Sequence, residues 1–141
     1  MSRAAAREQA FKLLYQCEIK AAPPEEILET YTGLAGEDEA YPLLDQNDLD
    51  FLKQELFGAW EHKEEIDALI GRNTKDWKVN RLSRVLLAIM RIAVYEMCHQ
   101  EDIPRLVSIN EAIELAKQYD DEGTGAFVNG ILGGVLRELE G

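Results

Sequence analysis

Apolar residues in this chain recur every third or fourth position, stretch after stretch, and nowhere alternate one by one over the length of a strand. That period commits most of the backbone to helices. The strongest stretch, "RVLLAIMRIAVYEMCH", predicts one buried helix. "SRAAAREQAFKLLYQCEIK" predicts another, with Ala6, Ala10, Leu13, Leu14 and Cys17 near one stripe. Pro24 opens a third, with Glu25 and Glu26 in its first turn, where negative charge suits the positive end of the helix dipole. Residues 35–45 read as a loop. Asp45 or Asn47 then caps "DLDFLKQELFGAWEHKEEIDALI", which breaks near Gly58 or His62. "KDWKVNRLS" is a connector, and "EDIPRLV" turns around Pro104. "SINE" at 108–111 has the form of a capping box opening the next helix, and Thr124 is placed to cap the last. The expectation is an all-α bundle of six or seven short helices.

The 141 residues suit a single domain. A chain of that length can bury roughly 68% of its unfolded surface. No apolar run approaches the 18 or so residues of a membrane helix, and the N-terminus lacks an apolar secretory core, so a cytoplasmic protein with no membrane partner is expected. The net charge of −12 would argue against nucleic acid if it were spread evenly, and it is not. Residues 21–67 hold fourteen acidic and two basic residues, which is the whole imbalance; residues 1–20 are net +2. Within 72–91, Arg72, Lys75, Lys78, Arg81, Arg84 and Arg91 face only Asp76. A chain polarised in this way can still present a basic face to RNA.

Nothing points to catalysis. The carboxylates scatter over exposed positions, and no nucleophile elbow, P-loop or zinc-protease motif is present. Cys17 and Cys98 form no Cys-x-x-Cys and read as reduced residues, and His62 and His99 are the sole imidazoles. No metal site and no cofactor are expected. His99 reads as a partner for its helix's C-terminal dipole or as a surface residue.

"AFVNGILGGV" poses a separate question, because three glycines and an asparagine weaken an otherwise clear helix. Each interior glycine costs about 1 kcal/mol relative to alanine. The expectation is that Gly130 admits a neighbouring backbone and that Asn129 bonds across the contact, toward the turn before Ser108; Gly133 and Gly134 are read as loosening the helix end.

Residues 90–132, "MRIAVYEMCHQEDIPRLVSINEAIELAKQYDDEGTGAFVNGIL", resemble the C-terminal half of the bacterial antitermination factor family NusB. "AREQAFKLLYQCEI" is similar to that family's first helix, and "DWKVNRLSRV" to its middle connector. The resemblance implies two packed three-helix subdomains, roughly 1–78 and 79–141, with no cofactor and no catalysis. It implies binding of boxA RNA together with NusE, the ribosomal protein that doubles as an antitermination factor, and read-through by RNA polymerase within an antitermination complex, notably in rRNA operons.

Residue by residue, the resemblance assigns Arg3 and Arg7, four apart on one helix face, and nearby Lys12 to an RNA-binding patch. Arg91 joins that surface or forms an intramolecular salt bridge. Phe127 stacks on an unpaired base or belongs to the core. Tyr15 matches the family's NusE contact or is a packing tyrosine. The chain also departs from the pattern: it has few N-terminal arginines, Ala126 replaces a lysine, and Leu86 and Leu87 replace an acidic–basic pair whose acidic member helps hold NusE. Lost phosphate partners imply weaker RNA binding and a flatter salt dependence. The apolar pair suggests a partner-binding face, and with it an alternative function: a helical protein–protein module, homodimeric through Leu86 and Leu87, with weakened RNA binding. RNA methyltransferases that carry this helical domain are set aside, since no cofactor-binding glycine fingerprint appears.

Overall fold

The computed structural model describes residues 3–74, 82–121 and 123–141. Among them lie seven α-helices and no strand beyond one isolated bridge between Asp38 and Tyr41. They are α1 (Arg3–Lys20), α2 (Pro24–Leu34), α3 (Gln46–Glu61), α4 (Lys63–Arg72), α5 (Arg84–His99), α6 (Arg105–Tyr119) and α7 (Thr124–Glu140). The chain divides into two compact units, Met1–Glu61 and His62–Gly141. The subdomain boundary expected near residue 78, like most of the expected connector, lies outside the described residues. The second unit holds α4 to α7, with α4 contacting α5 and α7.

In the first unit α1, α2 and α3 pack pairwise. The expected stripe of α1, from Ala6 to Cys17, is buried, as are Ile27, Leu28 and Tyr31 of α2 and Phe51, Leu52 and Leu56 of α3. Pro24 starts α2, and Asp45 rather than Asn47 caps α3, its Oδ1 accepting from the Asp48 N–H at 2.8 Å. The loop over 35–45 is tethered. The Tyr31 hydroxyl donates to the Pro42 carbonyl, and burial pushes that phenol above its ordinary pKa, keeping it a donor. The Tyr41 ring meets Tyr31 edge-on at 5.8 Å.

In the second unit α5 is the central helix, contacted by α4, α6 and α7 and buried from Leu86 to Met97. A helix that is apolar nearly all round has to be enclosed in this way. Polar bonds fix its neighbours. Arg91 donates from Nε and Nη2 to the two carboxylate oxygens of Asp67 on α4, both at 2.8 Å. Ser108 of α6 donates to Glu96 Oε1 at 2.7 Å, both residues being buried. Arg72 at the end of α4 pairs with Glu138 of α7, and that hydrogen bond holds the Glu138 carboxyl below its ordinary pKa. Both of these last groups are exposed, so this pair adds little stability.

Two kinds of expectation, helix caps and glycine contacts, are corrected here. "SINE" is not a capping box. Pro104 occupies the N-cap and α6 begins at Arg105, one turn early, so Ser108 lies inside the helix and faces α5. Thr124 likewise is the first helical residue of α7, with Gly123 at the N-cap and no side-chain cap bond.

The glycine expectation is the second. Nothing lies within 4 Å of where a Cβ on Gly130 would sit, and Asn129 is exposed. The close approach is at Gly134, where a Cβ would overlap the Asn73 amide oxygen and lie 3.2 Å from the Asn73 Cβ. That amide cannot swing away cheaply, since its Nδ2 donates to the Leu69 carbonyl and to Glu138 Oε1. The two glycines therefore predict opposite signs. Gly134→Ala should cost about 1–3 kcal/mol through overpacking, whereas Gly130→Ala should gain about 0.5–1 kcal/mol from helix propensity. Urea unfolding of both variants checks this, and equal signs would contradict it.

Candidate nucleic-acid interface

Unit by unit, the expected interface residues fare differently. In the first unit, Arg3 is exposed at the start of α1, and Arg7, one turn on, is buried. Both guanidinium groups lie over the ring of Phe51, at 4.6 and 5.4 Å from its centroid. A cation over an aromatic face gains about 0.5–1 kcal/mol at an exposed site and about 2 or more when desolvated. Phe51 thus gathers two positive charges at one end of α1 and restricts how far Arg3 wanders. Arg7 acts from beneath, as a buried support rather than a solvent-facing hand. Lys12 and Tyr15 are half-buried further along α1. Sequence spacing pairs Arg3 with Arg7, but it gives no sign of Phe51, which sits on α3.

In the second unit, Phe127 is half-buried in the first turn of α7, flanked by exposed Ala126, Asn129 and Gly130. It is neither a core residue nor fully exposed, and part of its ring is open to solvent. Arg91 takes the other of its two readings. It is 5% exposed and bound bidentately by Asp67, so its charge is turned inward. Arg72, of the same basic segment, is paired with Glu138; Lys75, Lys78 and Arg81 lie outside the described residues.

Leu86 and Leu87 correct an expectation outright. They are 5% and 1% exposed, buried in the first turns of α5, so neither offers an apolar face to NusE or to a second copy. The physical reason is the near-complete enclosure of α5: leucines in its first turns add to the core, not to the surface.

The fold also joins side chains that the sequence keeps apart. His62 and Glu65, at the start of α4, meet His99 at the end of α5. No helix among the described residues is long and apolar enough to cross a membrane.

The comparisons with known proteins agree with this architecture. The sequence profile of the NusB family matches residues 4–137. The transcription antitermination protein NusB of Acetivibrio thermocellus is 46% identical over 137 residues, covering 97% of this chain and 90% of that protein. The solved NusB of T. maritima superposes with a TM-score of 0.84 at 38% identity, over 98% of this chain and 92% of that one. A NusB solved with NusE and double-stranded RNA superposes with a TM-score of 0.82 at 26% identity, over 98% and 99% of the two chains. With a profile match over nearly its whole length and relatives at this identity, the chain belongs to the NusB family.

Proposed function

We propose that this chain is a transcription antitermination factor that binds boxA RNA jointly with NusE and helps RNA polymerase read through terminators, notably in rRNA operons. The reading rests above all on its end-to-end likeness to a NusB solved with NusE and RNA. Arg3 and Phe127 are the proposed RNA contacts, one supplying a restrained positive charge and the other an aromatic face for a base. Lys12 adds a second charge along α1, and Tyr15 is the proposed NusE contact. Arg7 holds the Arg3–Phe51 arrangement together, and Arg91 serves the fold rather than the RNA. The homodimeric module is not favoured, because the leucine pair that would have formed its interface is buried.

Arg3→Ala should weaken boxA binding in the presence of NusE and reduce the salt slope of log K by about 1, the signature of one lost phosphate contact. Phe127→Ala should cost about 1–3 kcal/mol of affinity. Fluorescence anisotropy at two or more salt concentrations reads both. An unchanged slope for Arg3→Ala together with unchanged affinity for Phe127→Ala would remove these residues from the interface.

A further inference from the structure

His62 is the N-cap of α4, Glu65 lies in its first turn, and His99 lies in the last turn of α5. One donor atom from each of the three lies within 4.8 Å of the other two. His99 Nε2 is 3.1 Å from Glu65 Oε1. The two imidazoles stack at 4.1 Å between centroids with 24° between planes, and the Tyr95 ring lies alongside at 6.2 Å from His62 and 5.3 Å from His99. The three rings pack face against face, and a ring nitrogen of each imidazole lies near the Glu65 carboxylate.

We propose that His62, Glu65 and His99 form a binding site for a divalent transition-metal ion of the zinc class. Three observations carry this. The donor set is two imidazole nitrogens and one carboxylate oxygen, a combination that zinc, cobalt and nickel accept and that magnesium and calcium, which prefer all-oxygen shells, do not. The donors come from two helices of the same compact unit, so binding requires no movement of backbone between units. The gap is small: the donors lie within 4.8 Å of one another, against roughly 3.4 Å between donors in a tetrahedral zinc site, so coordination needs only side-chain rotation, one that unstacks the two imidazoles and turns their ring nitrogens toward the ion. The His99 and Glu65 side chains are 31% and 52% exposed, which leaves a solvent path and room for water in the remaining coordination positions. The His99–Glu65 contact stands where the ion would bridge, and the ion would clasp the start of α4 to the end of α5.

The test uses the full chain carrying no affinity tag, titrated with zinc chloride by calorimetry and with cobalt chloride by visible absorption. One ion per chain is expected, with a rise in melting temperature and a cobalt d–d band. His62→Ala and His99→Ala should each weaken zinc binding by at least about tenfold, and Glu65→Gln should do so as well. Cys98→Ser, a change at the neighbouring thiol, should leave binding unaltered, and magnesium should not compete. Circular dichroism verifies that each variant is folded; the cobalt band of Glu65→Gln provides a second reading if a histidine variant is not. Absence of saturable one-to-one binding would overturn the proposal. So would binding retained in both histidine variants, or binding abolished by Cys98→Ser, since each would name a different set of ligands.

Discussion

Leu87→Ala is expected to lower the unfolding free energy by about 2–5 kcal/mol and to leave the affinity of the folded protein for NusE unchanged. The side chain is 1% exposed, in the first turn of a helix enclosed by three others. Truncation removes apolar surface from the core and leaves a cavity that close-packed neighbours fill only in part. Chemical denaturation measures the first effect, and titration with NusE below the denaturation range measures the second. A loss of NusE affinity with little loss of stability would mean that Leu87 faces a partner after all. The distinction matters because the family resemblance makes this position a partner-facing site.

Asp67→Ala is expected to cost about 2–4 kcal/mol, somewhat below the 3–5 typical of breaking a buried pair, because the Asp67 side chain is 26% exposed and water reaches it. The penalty comes from Arg91, whose guanidinium is almost wholly buried and loses two hydrogen bonds at once. Replacing both partners with apolar residues of similar size, Asp67→Leu with Arg91→Met, should recover much of the loss, since two desolvated charges disappear together. RNA affinity of the folded single variant should stay within twofold of the parent. If Asp67→Ala instead tightened RNA binding strongly with little effect on stability, Arg91 would be an RNA ligand held in check by Asp67.

The helices were legible because helix formation is local. The ends of α5 follow from its apolar run, Ser83 caps it by accepting from the Leu86 N–H, and the acidic first turn of α2 and the Asp45 cap of α3 lie within a few residues of what they stabilise. The failures share the opposite property. Ser108 bonds Glu96 on another helix and Gly134 is required by Asn73, and in each case the partner lies far along the chain; of the two readings open for Arg91 the structure takes the salt bridge, but its partner Asp67 could not be named from the sequence. Serine, glycine and arginine each have a common local role that hides the long-range one. The candidate interface was half legible for the same reason. Arg3 and Arg7 share a helix face by spacing, but Phe51 beneath them and the meeting of His62, Glu65 and His99 depend on how helices pack. Leu86 and Leu87 were misread because a leucine pair has the same letters whether it faces a partner or a core.

The central claim, joint RNA binding with NusE, is tested most directly by anisotropy of a labelled boxA RNA titrated with this chain, alone and with NusE, at two salt concentrations. The account predicts weak binding by the chain alone and a tighter, salt-sensitive complex when NusE is present. No RNA binding in the presence of NusE at either salt concentration would contradict it.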